Sequence, residues 1–134
     1  MTKEEHIEVI RAAMAMNGTN KPQYDIAVEA LAAILERRDE VEQVYLKHKQ
    51  PIIKHTNKAG ATNWEQNPAL RMLNDCNKCA LLYMRELGLT PQALRRINPA
   101  EAAQQIKSKK SLIDTILEQL EGADYDEGGS NDEE

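Results

Sequence analysis

Two cysteines, Cys76 and Cys79, are spaced as in many metal and redox sites. A zinc site needs two further ligands, usually a second pair at a characteristic spacing. The three histidines of the chain stand singly and provide no such pair. A redox pair of the thioredoxin type follows a strand that leads into a helix, whereas these cysteines lie in the middle of a predicted helix. We therefore expect two free thiols packed as small hydrophobic side chains, with no metal and no cofactor.

Catalytic motifs are absent from the rest of the sequence. It contains no GxSxG, no glycine-rich phosphate loop and no HExxH. Its acidic residues fall on the predicted solvent-facing sides of helices or near the carboxyl end. These observations predict a protein that is not an enzyme.

Clustered basic side chains are a stronger indication of binding. Segment 47–58 carries six lysines and histidines and no acid, and further basic groups lie at 95–96 and 107–110. Such charges bind DNA by releasing counterions from its phosphates. The alternative for any one group is that its lysines only keep a helix face hydrated. The residues that we expect to contact DNA are Lys47, Lys49, Lys54, His55, Lys58, Arg95 and Arg96.

The first two elements that position these side chains are predicted to be helices. Thr2 to Glu5 fits a capping box, and Asn17-Gly18 ends the helix that follows. A second helix begins near residues 20–22 and runs until Pro51, which cannot continue it. Residues 52–66 break the pattern and predict an extended connector with a turn at 58–60.

The remaining elements are also predicted to be helices. Asn67-Pro68 begins a helix, and Gly88 ends it in a left-handed conformation. A short helix at 91–97 and a longer one at 99–121 follow, the latter with a restart at Ser111 as an alternative. We therefore expect an all-α bundle with a long helical hairpin as its core.

The predicted domain organisation is simple. Residues 1–121 form one helical domain, made of an amino-terminal helix at 1–18, a core at 22–97 and a carboxyl-terminal helix at 99–121. Residues 122–134 are highly charged and poor in apolar side chains, and we expect this acidic tail to be disordered.

Apolar side chains on two of the predicted helices indicate an oligomer. The second helix carries them close to a heptad spacing, and the third carries a band too wide for one partner helix. Asn77 within that band either fixes the register or is an ordinary polar residue. The chain has no Phe and one Trp, so a partner would help to complete its core. The residues expected at subunit contacts are Leu31, Ile34, Val41, Tyr45, Leu73, Asn77 and Met84.

The charge distribution is uneven. The net charge is −5, but residues 41–117 carry a net charge of +6 and residues 118–134 carry eight acids and no base. The acidic tail either docks on a basic partner surface, shields the chain's own basic surface, or only aids solubility. No stretch of 18 apolar residues exists, and the first residues lack the order of a signal peptide, so we expect no membrane contact and a cytoplasmic protein.

Three motifs follow one another in a set order: Thr56–Thr62, Asn67–Leu70 and Tyr83–Pro91. Each is a common cap or turn, but their order and spacing resemble the small terminase subunits of tailed phages, in particular a short family with an Asn-Pro helix start and a Leu-Gly-Leu-Thr-Pro ending. The resemblance extends from Tyr24 to Ile97. The first twenty residues and the acidic tail fall outside it.

The resemblance implies a non-enzymatic component of viral DNA packaging that acts in the cytoplasm of the infected bacterial host. Proteins of this kind form helical ring oligomers, bind concatemeric viral DNA and deliver it to the large terminase subunit, which holds the ATPase and nuclease. The resemblance supplies no list of DNA contacts, so the contacts named above rest on charge placement. The number of subunits in the ring and the path of the DNA stay open.

Two other functions are compatible with the residues themselves. A transcriptional regulator would read bases with a short recognition helix, and the predicted helix at 91–97 offers only Gln92, Arg95 and Arg96 for that purpose. A helical adaptor that binds no nucleic acid is the second alternative. The basic excess at 41–117 argues against the adaptor.

Overall fold

The computed structural model describes residues 1–123, so the predicted disorder of the acidic tail falls, except for its first two residues, outside the described part of the chain. Those residues form five α-helices and one two-stranded antiparallel sheet. In chain order the elements are α1 (Lys3–Met16), a 3₁₀ turn (Pro22–Tyr24), α2 (Asp25–His48), β1 (Ile52–Thr56), β2 (Thr62–Gln66), α3 (Pro68–Glu86), α4 (Pro91–Ile97) and α5 (Pro99–Ala123).

The helix starts form as the sequence predicts because polar side chains satisfy otherwise unpaired backbone N–H groups. At α1 both halves of the capping box are present: the backbone N–H of Glu5 donates to Thr2 Oγ1, and the backbone N–H of Thr2 donates to the Glu5 carboxylate. Asn67 Oδ1 accepts from the N–H of Ala69 at 3.0 Å and starts α3. Thr90 caps α4 in the same way.

The core lies between three helices. α2 and α3 form a helical hairpin, and α1 packs along α2 between Asp25 and Asp39. The largest side chains with no solvent exposure come from all three helices or their ends: Met14, Val28, Leu31 and Leu87. The helical hairpin that the sequence predicts is therefore present, and α1 completes it.

A polar junction holds the ends of α1 and α3 to the start of α5. Asn17 Nδ2 donates to the carbonyl of Gly88, and Asn98 Nδ2 donates to the carbonyl of Asn17. The buried hydroxyl of Thr19 lies 3.3 Å from the carbonyl oxygens of both Met14 and Leu87. This junction fixes the position of α4 and of the first turns of α5.

Two predictions of secondary structure need correction. The fold is not all-α, because residues 52–66 pair with themselves as a β-hairpin instead of running as a single extended connector. The predicted turn at 58–60 is its tip. α5 continues through Ser111 to Ala123, the last described residue, so the restart at Ser111 does not occur; Ser108 and Thr115 bond back to carbonyls one turn earlier, as such side chains do within a continuous helix.

Only part of the wide apolar band of α3 is buried within one chain. Cys76 and Ala80 are its buried residues, whereas Met72, Leu81 and Leu82 are exposed by 41–60%. The apolar stripe of α5 is exposed as well. Both helices thus present apolar surface that the single chain leaves uncovered.

Candidate nucleic-acid interface

The β-hairpin carries the strongest basic segment of the chain, and its tip is set by one asparagine. The side-chain oxygen of Asn57 accepts from the backbone N–H groups of Ala59 and Ala61, at 3.0 and 2.9 Å. Gly60 adopts a φ of +83°, a left-handed conformation that glycine accepts without strain. These bonds close the turn and place Lys58 at the outermost point of the hairpin.

The base of the hairpin is joined to the ends of two helices. Lys49 takes a left-handed conformation that ends α2, and Pro51 prevents its continuation. Asn67 then links the two strands: its backbone N–H donates to the carbonyl of Pro51, and its Nδ2 donates to the carbonyl of Gln50. The residue that caps α3 therefore also fixes the hairpin to the helical body.

The strand register determines which side chains share a face. Lys54 pairs with Trp64, and Thr56 pairs with Thr62, whose hydroxyl oxygens lie 3.2 Å apart. Because side chains alternate along a strand, these four lie on one face of the hairpin, and His55 lies on the other. Trp64 is 72% exposed, so its ring is available to a ligand next to the Lys54 ammonium.

The electrostatic character of this region is positive. Residues 47–66 carry four lysines and one glutamate, for a net charge of +3 with both histidines neutral. In the part of the chain that the structure describes, none of the four lysines lies within 4.0 Å of a carboxylate. The charges of the hairpin are thus available to an anionic partner.

The predicted DNA-contacting residues separate into two groups in space. Lys54, His55 and Lys58 lie on the hairpin, with Lys47 and Lys49 at its base. Arg95 and Arg96 lie on α4, beyond the opposite end of α3, and a 19-residue helix is roughly 28 Å long. The structure therefore brings five of the seven residues together and leaves the arginine pair apart.

The residues predicted at subunit contacts differ in how deeply they are buried within the single chain. Leu31 has no solvent exposure, so it belongs to the core of the single chain and is not available to a neighbouring copy. Asn77 is exposed on α3. The others are partly buried: Ile34, Val41, Tyr45, Leu73 and Met84.

The thiols and the ionisable groups form no cluster for metal or redox chemistry within residues 1–123. There, no three His, Cys, Asp or Glu side chains are arranged to hold a metal ion. Both cysteines are free, and burial agrees with packing as a small hydrophobic side chain for Cys76, whereas Cys79 is exposed.

One buried histidine of α1 has a carboxylate partner on α2. His6 Nε2 lies 2.8 Å from Asp39, which also accepts a bond from Arg38 at 2.7 Å. Partial burial raises the pKa of Asp39, but the hydrogen bonds from Arg38 and His6 outweigh it and hold that pKa below its usual range. This group ties α1 to α2 and has a structural role.

A family model described as "Phage terminase, small subunit" matches residues 3–104. The chain belongs to this family. The match covers more than the segment that motif order indicated, since it includes residues 3–20, which the sequence had placed outside the resemblance. Small terminase subunits are in general not catalytic. No curated protein and no solved structure matches the chain.

In this member of the phage terminase small-subunit family, β2 is the part of the candidate interface that the sequence did not predict. It brings Trp64 and Thr62 onto the same face as Lys54. A signal was present: Trp64 is the one tryptophan of the chain and lies in a polar segment, where an aromatic side chain has no core to join. None of the helices in residues 1–123 has the length and apolar character needed to cross a membrane.

Proposed function

We propose that this chain binds concatemeric viral DNA as a ring oligomer in the host cytoplasm and delivers it to the large terminase subunit, with the β-hairpin as its DNA contact. Membership of the small-subunit family supports the packaging role. The observation that carries the DNA contact is the net charge of +3 over residues 47–66, in which Lys54 and the exposed Trp64 share one face of the hairpin. Delivery to the large subunit rests on family membership alone.

The shape of the hairpin suits a duplex. A two-stranded β-ribbon fits the major groove of B-DNA, and such ribbons are used by several DNA-binding proteins. Lys58 lies in the tip, and Lys54 and His55 follow on opposite faces, so a phosphate can meet a lysine on one face and an imidazole on the other. Threonine and tryptophan side chains on the Lys54 face add hydrogen-bonding and apolar contact without requiring one sequence.

A hairpin of this size also needs a partner for its own stability. An isolated two-stranded hairpin is marginal in water, and here its strands are exposed except for the half-buried Ile53. DNA would supply contacts along both strands. A single hairpin offers few charges, so several copies acting on one duplex are needed for strong binding, as a ring would provide.

The exposed flanks of α3 support a ring in particular. At 100° per residue, Met72 and Leu82 lie on one side of the line that faces α2, and Leu81 lies on the other. A ring is built from a head-to-tail interface, which requires two different surfaces on each copy. The two flanks of α3 provide two different apolar surfaces, one for each neighbour.

The test compares two double variants that each remove two basic side chains. Lys54→Ala with Lys58→Ala acts on the hairpin, and Arg95→Ala with Arg96→Ala is the matched control on α4. Binding to a fluorescently labelled duplex is measured by anisotropy over a range of salt concentrations. The hairpin variant should lower the slope of log K against log salt by about 2 for each engaged subunit, since each phosphate contact contributes about 0.9. The α4 variant should leave the slope unchanged.

Intrinsic fluorescence gives an independent measurement because Trp64 is the one tryptophan in the chain. Adding unlabelled duplex should quench or shift its emission in the wild type and in the α4 variant. Native mass spectrometry should show the same oligomer mass for all three proteins. Unchanged affinity and salt slope in the hairpin variant, with the same oligomer mass, would remove the hairpin from the DNA interface.

A further inference from the structure

The carboxyl-terminal part of α5 is a helix without a partner in the chain. Every residue from Ile106 to Ala123 is exposed, and this segment lies beyond the residues 3–104 that match the family. It nevertheless carries an apolar surface on one side, which spans about 140° of the helix circumference at 100° per residue. The apolar residues of that surface, here called the α5 face, are exposed by 47–61%: Ile106, Leu112, Ile113, Ile116, Leu117 and Leu120. Lys109 lies within the same arc, between Ile106 and the other five along the helix.

The order of the charges along this segment does not favour the helix on its own. Three lysines occupy 107–110, and the acids Asp114, Glu118 and Glu121 follow toward the carboxyl end. Anions near the end of a helix oppose the helix dipole, and acid before base is the better order for pairs along one helix, whereas here the bases come first. Within residues 1–123, none of these charges lies within 4.0 Å of an opposite charge. The charges are therefore available to a second molecule.

We propose that the α5 face pairs with the same face of a second copy, in antiparallel orientation. The basic half of each helix then lies beside the acidic half of the other, and the two helix dipoles oppose each other. A parallel pair would set lysines against lysines and acids against acids. Charges that flank an apolar surface determine partner orientation in this manner in coiled coils.

Two charged residues have the position that this pairing needs. Lys110 and Glu121 are eleven residues apart, which is close to three full turns, so they lie on the same flank of the α5 face but roughly 16 Å apart along the helix. A pair that sets Ile113 of one copy against Ile116 of the other brings Lys110 of each copy beside Glu121 of the other. Lys107 points away from the α5 face and takes no part.

The pairing has a consequence for assembly. An antiparallel contact between two identical surfaces is two-fold symmetric, whereas the subunits of a ring meet through two different surfaces. The α5 contact is therefore additional to the ring interface of the proposed function. If the ring forms, α5 joins two rings and the assembly has an even number of copies. If no ring forms, α5 still yields dimers.

The experiment is a charge-exchange cycle on the full chain, measured without DNA by native mass spectrometry and sedimentation over a range of concentrations. Lys110→Glu and Glu121→Lys each place like charges together at both ends of the pair, and each should weaken α5 pairing about tenfold. The double variant restores both opposite-charge contacts and should recover wild-type pairing. Lys107→Glu is the matched control and should have no effect.

The outcomes separate the possible arrangements. A parallel pair already has like charges together, so neither single variant would weaken it, and that result would overturn the proposal. Weakening by both single variants without recovery in the double variant would show that Lys110 and Glu121 do not face each other, and would also overturn the antiparallel register. Ile113→Asp removes apolar contact and should halve the mass of the assembly. An odd number of copies in the wild type would also contradict the two-fold contact.

Discussion

Replacing Gly88 by alanine tests the packing of the polar junction at the end of α3. Gly88 is buried and has a φ of +70°, the left-handed conformation that ends the helix. A Cβ atom there would lie 3.3 Å from Ile97 Cδ1 and 3.3 Å from Thr19 Cγ2. Ile97 can move the end of its side chain. Thr19 cannot rotate freely, because its hydroxyl is held between the carbonyls of Met14 and Leu87.

Two costs combine at this position. A left-handed conformation costs an alanine roughly 1–2 kcal/mol, and a modest steric overlap in a packed site costs about 1 kcal/mol more. We therefore expect Gly88→Ala to lower the free energy of unfolding by about 2–3 kcal/mol. The measurement is urea unfolding followed by circular dichroism at 222 nm, at a fixed protein concentration so that oligomerisation contributes equally to each variant.

Two further variants separate the two costs. Gly60 has a φ of +83° with open space around it, so Gly60→Ala carries the backbone cost alone and should lower stability by less. Thr19→Ser removes the methyl group that the new Cβ would approach and keeps the hydroxyl. In that background Gly88→Ala should cost about 1 kcal/mol less than in the wild type. Equal losses from Gly88→Ala and Gly60→Ala would refute the steric part of the reasoning.

Two more predictions concern the ion pairs and the base of the hairpin. Because the folded-state pKa of Asp39 is lowered from 3.8, its contribution to stability is present above that value and is lost as the pH falls through the folded-state pKa. Asp39→Asn should therefore reduce the loss of stability that the wild type shows in acid titrations monitored by thermal unfolding. Asn67→Ala removes both the cap of α3 and the bond to the Gln50 carbonyl, and should lower stability by about 1 kcal/mol and speed amide exchange in the first turn of α3.

The helix boundaries were predictable from the sequence because they depend on local chemistry. Thr2, Asn67 and Thr90 each satisfy backbone groups within the next three residues, so no distant contact is needed to define the start of the helix. Gly88 likewise ends α3 through its own conformation. Such signals survive in any tertiary context that keeps the helix, and all of them are present in the structure.

The β-hairpin was missed because its strands lack the pattern that sequence reasoning uses. Alternation of apolar and polar residues arises where one face of a sheet is buried. Both faces of this hairpin are largely exposed, so Ile52-Ile53 and the polar residues that follow show no alternation. The turn was recognised from its glycine. Pairing of the flanking residues depends on the helix ends that Asn67 holds together, which is a tertiary effect.

The sequence predicted which residues belong to the candidate site, but it did not predict how they are arranged in space. Counting lysines located the segment 47–58, but the spatial separation of Arg95 and Arg96 depends on the length and direction of α3. In the same way, the apolar residues of α2 indicated that this helix packs against another element, but they did not show whether that element belongs to the same chain or to a second copy. Leu31 meets the core of its own chain, whereas a heptad spacing in the sequence is equally typical of a contact between chains.

The exposed apolar residues of α3 and α5 lie in groups and are not scattered, which bears on how copies of the chain assemble. Single apolar side chains on a surface need no explanation, whereas contiguous ones mark contacts. The α5 face carries a charge order that suits a second copy in the reverse direction, and the two flanks of α3 carry different exposed apolar residues, Met72 and Leu82 on one and Leu81 on the other. The first property suits a two-fold contact and the second a head-to-tail contact. If both contacts form, α3 determines how many copies join head to tail and α5 determines their pairing, so variants of the two helices should change the mass of the assembly in different ways.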